Sequence, residues 1–477
     1  MKRSNKLFIL LGVLVVFCIA TFAVLKHEEH KEKIKNTDKI VLEIPVDSVN
    51  SLSWKNKSET LAFHKEGDKW VYDKDEAFPV DQEKIRKLLG VFEKFGAAFI
   101  IEEVEDFGQY GLNNPTCTIN LSTAEKSYEI LVGDFSIMDQ QRYVSVGDGN
   151  VYLVRNDPME HYGAVLKDMI DNDEPPKFDK AVRIQLDGDE KCTIVYQEGN
   201  PFAYREDDVY YAQKGGYSLP VDANRVKSYL NSISNLDLSN YVTYRATGEE
   251  LGKYGLDNPE FTVTVDYTSK DEKDKEVSGA FVLHVSRDPE EKKKAEKAAR
   301  DETDDKKESE SSAEEEITAY ARVGESQIVY QISSNSYKIL TAANYDSFRH
   351  LEVLPAPFDD VNRIDISLDG ESYSFTSEKK GDKRTWYYRE EELDIAAFRD
   401  ALEKLKAESF TDEKPSKKEE IGLTFRLDNK NYPEIRISLY RYDGTHCLAV
   451  IDGRPASLVR RSDAVNLIEA VYAVVLD

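Results

Sequence analysis

Two runs in which apolar and polar residues alternate, Cys117/Ile119/Leu121 and Phe261/Val263/Val265, each follow a version of one hexapeptide. The first is Tyr110-Gly111-Leu112-Asn113-Asn114-Pro115 and the second Tyr254-Gly255-Leu256-Asp257-Asn258-Pro259. Alternation with period two predicts half-buried strands. A weaker echo, Ile421-Gly422-Leu423, precedes Pro433 and the run Ile435/Ile437/Leu439, so the pattern reads as one unit used about three times. Within the hexapeptide, glycine permits a left-handed turn at Gly111 and Gly255. Asn114 and Asn258 stand before proline, which holds them out of the helical region, and Pro115 and Pro259 open the strands that follow. Tyr110 and Leu112, like Tyr254 and Leu256, pin the turn to the core. The two copies share no charged or nucleophilic neighbour, so these residues form a structural motif rather than a ligand loop.

Upstream of each hexapeptide the period lengthens to that of a helix. Asp81 is followed by Ile85, Leu88, Leu89, Phe92 and Phe95, and Asp222 by Val226, Leu230, Ile233 and Leu236. Both aspartates are good N-caps. The starts also match, Pro79-Val80-Asp81 against Pro220-Val221-Asp222, and Asp394 with Phe398, Leu402 and Leu405 restores the pattern a third time. Short alternating stretches around these helices, among them Thr60–His64, Lys69–Tyr72, Tyr128–Val132 and Val151–Val154, read as further strands. The fold predicted is α+β: an N-terminal transmembrane helix followed by tandem repeats, each an antiparallel β-meander plus one amphipathic helix. The first repeat covers residues 40–175, the second 180–350 and a degenerate third 361–477. The second carries an insertion, 288–316, so rich in Glu, Lys, Asp, Ala and Ser that it cannot bury a core. That predicts a mobile arm or a frayed charged helix at a hairpin tip. The closing apolar run, Val465 to Leu476, is too short to span a bilayer and reads as a cap.

The apolar run Leu7 to Leu25 has the length of a bilayer-spanning helix. Lys2, Arg3 and Lys6 precede it, which predicts a cytoplasmic tail at 1–6, an uncleaved anchor at 7–25, a charged spacer at 26–39 and an extracytoplasmic remainder. Charged residues make up 32% of the chain and the net charge is −26, so no basic field exists to meet nucleic-acid phosphates. Cys18 lies in the apolar run, and Cys117, Cys192 and Cys447 fall on separate strand-like stretches without CxxC spacing, which predicts buried free thiols.

Catalytic signatures are missing. No P-loop, dinucleotide glycine pattern, GxSxG elbow or EF-hand loop occurs. His27-Glu28-Glu29-His30 falls one residue short of the zinc-protease spacing. The seven histidines recur at no equivalent repeat position, and carboxylates are too abundant for a glycosidase pair to stand out. Asn56 and Asn120 match a glycosylation pattern of little weight. Of the 27 tyrosines, Tyr72, Tyr128, Tyr143, Tyr152, Tyr210 and Tyr211 fall on predicted strands, where aromatic faces can bind sugars or simply pack. The expectation is no enzyme, no cofactor and no metal.

With these elements in place, the chain resembles the bacterial family known as domain of unknown function 4340. Trp70, Pro79-Val80-Asp81, the Tyr110–Pro115 turn, Val132-Gly133-Asp134 and Tyr143 with Val151-Tyr152 carry the resemblance. The second copy keeps Pro220-Val221-Asp222, Tyr254–Pro259 and Tyr320 with Val329-Tyr330, and departs at His284-Val285-Ser286. The resemblance implies a single-pass, extracytoplasmic accessory protein that binds within an ABC transporter assembly of the gliding-motility kind. A cell-wall or glycan-binding surface module is the alternative, and a hydrolase with an unrecognised carboxylate site the lesser one.

Overall fold

The computed structural model describes residues 39–476, apart from 57–58, 103, 202, 271–272, 302–315, 382 and 431. The chain divides after Asn172 into two compact units. In the first, Pro45 starts a single 3-10 turn, Val46–Ser48, whose last amide donates to the Pro45 carbonyl at 3.0 Å. The strand Val49–Asn56 follows, with a bulge between Val49 and Ser51. Alternation sends Leu52 and Trp54 into the core, and the meander continues through Thr60–Glu66 and Lys69–Tyr72.

Helix α1 (Gln82–Gly90) then lies across the sheet. The Asp81 carboxylate accepts the Glu83 and Lys84 amides, both at 3.0 Å, and so satisfies two donors that a helix leaves unpaired. Ile85, Leu88 and Leu89 face inward, each side chain contributing roughly 1.5–3 kcal/mol through burial. Tyr162, fully buried, donates to the Leu88 carbonyl at 2.9 Å and packs edge-on against Trp54, which fixes the helix to the sheet. From α1 the chain crosses to the far edge, lays down Phe99–Ile101, and returns through the first hexapeptide to Cys117–Thr123 beside the opening strand. Ser127–Ser136, Gln141–Ser145 and Val151–Val154 complete an eight-stranded antiparallel sheet. A separate two-stranded sheet pairs Lys39–Leu42 with Phe95–Ala97.

The second unit contains two nine-stranded sheets of the same connectivity. In one, Lys180–Asp187 opens a meander through Cys192–Tyr196, Tyr210–Lys214 and Tyr217–Val221. Helix α2 (Ala223–Ser234), capped by Asp222, precedes the far-edge strand Tyr241–Thr243 and the return through the second hexapeptide to Phe261–Lys270. Glu276–Arg287, then helix α3 (Pro289–Asp301), then Ala319–Val323 and Val329–Ile332 finish that sheet. The other opens after Pro357 with Val361–Leu368, and its helix α4 (Ala396–Lys404) leads to the far-edge strand Ala407–Phe410. The closing helix α5 (Arg461–Val475) adds Ala464, Leu467 and Val471 to the core around Phe398 and Phe425. The opening bulge returns each time, between Ala181 and Arg183 and between Val361 and Arg363. A bulge repeated at one place in three sheets is a built feature that bends the opening strand near its start.

The α+β class is corrected by this architecture. Four antiparallel sheets dominate, and each large sheet is crossed by one helix of only 9–12 residues, so the chain is mainly β. The aspartate cap expected at Asp394 is displaced, since that helix starts one residue later, after Ile395, and among the described residues Asp394 accepts only the Ala396 amide. The transmembrane helix of that prediction is not among the elements the structure describes. Among the described residues no helix is long and apolar enough to cross a membrane, and the run 7–25 with its flanking tail and spacer to residue 38 lies outside them. A second correction concerns Ile421-Gly422-Leu423. These residues sit inside the strand Glu419–Leu427, with Ile421 and Leu423 buried, and Gly422 is not left-handed. The third sheet therefore has the strand that follows the turn but not the turn. Alternation continuing through Phe425 and Leu427 was the stronger signal.

Candidate functional site

The two hexapeptides fold as turns. Phe107–Tyr110 and Gly252–Tyr254 are 3-10 turns that end on left-handed glycines, Gly111 at φ 74° and Gly255 at φ 69°. The Leu112 amide reaches back to the Phe107 carbonyl at 3.1 Å, and the Leu256 amide to Leu251 at 3.0 Å. Both leucines are 3% exposed. Tyr110 packs on Tyr143 and Tyr254 on Tyr320, each with ring centroids 4.9 Å apart. Asn114 and Asn258 are exposed, and Pro115 and Pro259 are half-buried two residues before the strands they were expected to open. Among the described residues the turns present no convergent set of donors or charges to a ligand.

The strand register also corrects the match between the two copies. Cys117 pairs with Val132 and Phe261 with Val285, so Ser286 occupies the place of Gly133 and not of Asp134. Ser286, almost fully buried, donates to the Gly255 carbonyl at 2.8 Å and accepts the Glu260 amide at 3.0 Å.

Beside the second turn lies a polar cluster that periodicity gives no means of finding. Glu260 accepts the Arg287 amide at 3.0 Å and the Tyr337 hydroxyl at 2.9 Å, and pairs with Lys292 on α3. Burial works against the Glu260 charge, but the Lys292 ammonium and these two donors outweigh it, and its pKa falls below the ordinary value. Glu291 accepts both the amide (3.0 Å) and the hydroxyl (2.6 Å) of Thr318, which lowers its pKa too. The first turns of the insertion are thereby tied to the sheet as a helix that Asp288 caps; residues 302–315 lie outside the described ones.

A buried acid–histidine couple joins segments far apart in sequence. His350 Nε2 lies 2.9 Å from Asp208 Oδ1, while Asp208 Oδ2 accepts the Tyr204 and Arg205 amides at 2.9 and 3.0 Å. The nearby Tyr211 hydroxyl donates to the Asp208 carbonyl and not to the imidazole, and among the described residues His350 Nδ1 is buried without a hydrogen-bond partner. Couples of this kind orient a base for a nucleophile in hydrolases. Here the neighbouring groups hold a loop. His64 lies 2.7 Å from Asp73 at the surface, and His446 lies 3.2 Å from Asp443 and 3.0 Å from Glu408; these carboxylates, Asp443 first for His446, raise the histidine pKa.

Cys117, Cys192 and Cys447 are buried free thiols, and burial pushes them up to about 12, 11 and 12. A thiol held so far from ionisation is a poor nucleophile. Cys18 and His27-Glu28-Glu29-His30 lie outside the described residues. Among the described residues no three His, Cys, Asp or Glu side chains group so as to hold a metal ion. Of the six strand tyrosines, Tyr72, Tyr152, Tyr210 and Tyr211 are buried and Tyr128 and Tyr143 half-buried.

Taken together, these features define a protein of repeated antiparallel sheets, each crossed by one short helix, whose polar clusters bind segments of the fold to one another. The family described as domain of unknown function (DUF4340) matches residues 70–185 and 214–424, and the chain belongs to it. Both matched stretches contain a helix, its aspartate cap and a Tyr-Gly-Leu turn. Neither a curated protein nor a solved structure matches the chain.

Proposed function

We propose that this protein works by binding, as an extracytoplasmic accessory component of an ABC transporter-associated assembly. Support comes from the repetition. Three sheets of similar strand order, the first one strand shorter at its edge, carry similar frameworks and differ in their edges and hairpin tips, which is how repeat proteins present different surfaces on a common scaffold. The observation that carries the reading is where the polar groups go. Glu260, Glu291, Asp208 and His350 are taken up in holding strands, loops and α3 together. The glycan-binding alternative asks for clustered exposed tyrosines, and the six strand tyrosines are turned largely inward.

The test is affinity purification of the full chain from detergent-solubilised host membranes, followed by identification of what accompanies it. A permease or ATPase enriched with the protein is the expected result. Recovery without any membrane protein, under conditions that preserve a known transporter complex, refutes the proposal.

A further inference from the structure

The third sheet carries a cleft with a basic lining, although the chain as a whole is acidic. With 90 acidic against 64 basic residues, a surface concentration of cations is not the background expectation. The cleft encloses about 490 Å³, within the range of small-molecule sites. Phe358 and Trp386 form its apolar floor, their rings 5.7 Å apart and tilted by 32°. Four cations, Lys379, Lys383, Arg384 and Arg399, surround it, against the single carboxylate of Asp359 in the lining.

These cations divide into two kinds. Arg384, whose side chain is 12% exposed, is held by Asp428 at 2.5 Å and by the Ser377 hydroxyl at 2.9 Å. Arg399 is held by Asp359 at 2.9 Å and Glu403 at 2.7 Å, and its guanidinium lies 5.3 Å from the centre of the Phe358 ring. Both arginines are thus fixed in place with their charge largely answered. Lys379 and Lys383 are exposed, and among the described residues neither has a carboxylate within ion-pairing distance. Two fixed arginines and two exposed lysines, of which Lys379 also feels the Asp360 and Asp428 carboxylates, surround an aromatic floor and make a receptor for an anion that also has a flat apolar part.

The first sheet shows that this is an addition to the common plan. There the corresponding hairpin ends with Glu66 opposite Lys69, three residues past the Phe63–Tyr72 pair along the ladder. In the third sheet the ladder runs two pairs further, Lys379 with Arg384 and Lys380 with Lys383, and this extension supplies three of the four cations. At the helix start, Gln82 of the first sheet bonds the Trp70 backbone from both ends of its amide, at 2.7 and 3.0 Å. The residue following the corresponding aspartate of the third sheet, Asp394, is Ile395, which instead lines the cleft. Val46 of the first proline turn is replaced by the aromatic Phe358.

We propose that the cleft of the third sheet binds a small organic phosphate, with the phosphate between Lys379 and Lys383 and an attached ring or flat apolar group over Phe358 and Trp386. The binding involves no chemistry on the ligand and does not depend on the transporter reading. Isothermal titration of the full chain with phenyl phosphate tests it, with inorganic phosphate and phenol as partial ligands. The expected result is saturable binding of one phenyl phosphate per chain, at least about tenfold tighter than either partial ligand. The double variant Lys379→Glu/Lys383→Glu, both residues exposed, is expected to bind about tenfold or more weakly with an unchanged melting curve. Lys65→Glu/Lys69→Glu on the first sheet's hairpin is expected to bind like the unaltered protein. Absence of saturable binding by phenyl phosphate overturns the proposal. So does equal affinity in the Lys379/Lys383 variant, or equal affinity for inorganic phosphate, which would mean that the aromatic floor takes no part.

Discussion

The Tyr-Gly-Leu turns at Gly111 and Gly255 have nearly the same backbone but are held against their sheets by opposite means. In the first sheet the supporting strand bulges between Val132 and Phe135, bringing Gly133 so close that a Cβ built there falls 2.2 Å from the Tyr110 carbonyl oxygen. The second sheet runs in unbroken register past the same place, and Ser286 spans the gap with its hydroxyl. One turn is secured by close approach of backbone to backbone, the other by a side chain that bridges. A shared hexapeptide therefore specifies the shape of the turn, while its attachment is settled by whether the neighbouring strand bends.

The largest separation between the two is expected at the supporting residue. Gly133→Ala forces backbone apart and should destabilise the first unit by on the order of 3 kcal/mol. Ser286→Ala removes two hydrogen bonds at a buried position and should cost the second unit about 1–2 kcal/mol. Urea titrations of the full-length variants measure both. Equal losses would mean that the two attachments are not different in kind.

The turn glycines come next. Both have positive φ, so alanine at either should cost about 1–2 kcal/mol in backbone strain. Gly111→Ala also meets the Asp134 carboxyl carbon at 2.5 Å, whereas at Gly255 the nearest atom, Ser286 Cβ, is 3.2 Å away. Gly111→Ala should be the more damaging, and Asp134→Ala in the same chain should bring it close to the Gly255→Ala value.

A smaller effect, alike in both copies, is expected at the helix caps. Asp81→Ala and Asp222→Ala each remove an acceptor for two amides and should cost about 1 kcal/mol. A clear inequality between them in the same urea titrations would show that the helices are not equivalent parts of the two sheets.

The finest distinction is in acid. Glu260 follows the second turn where Thr116 follows the first, and its pKa is held below the ordinary carboxylate value. A lowered folded-state pKa means that the stabilisation is complete above the unfolded value of about 4.3 and is lost as the pH falls through the lower folded one. Glu260→Gln should therefore reduce the stability of the second unit near neutrality and flatten its decline below about pH 4. Thr116→Val should leave the acid response of the first unit as it was. Urea midpoints across the acid range give the comparison, and an unaltered acid slope in Glu260→Gln would show that this carboxylate is not the group being titrated.

Some of this could be read from residue order alone. The turn glycines, the caps Asp81 and Asp222 and most of the inward faces of α1 and α2 follow from rules that act over a few residues; Phe92, Phe95 and Leu236, expected on those faces, are buried beyond the helix ends, Phe95 on a strand. The misplaced third turn has the same origin. Ile421-Gly422-Leu423 looks like a turn in a short window and is a strand because Val361–Leu368 lies alongside it.

By itself the sequence determined what is local and periodic: which stretches alternate, where helices start and where the backbone turns left-handed, since those choices are made by each residue and its near neighbours. It also determined the net charge and, through repetition, membership of a family. Tertiary structure alone decided that the crossing strands end at the far edge of each sheet and that Gly133 and Ser286 support their turns differently. It also decided that Asp208 meets His350, and that a hairpin two pairs longer brings Lys379, Lys383 and Arg384 into the lining of a cleft with Phe358 and Trp386. Those outcomes depend on pairing and burial between segments distant along the chain, and such contacts leave no period in the sequence.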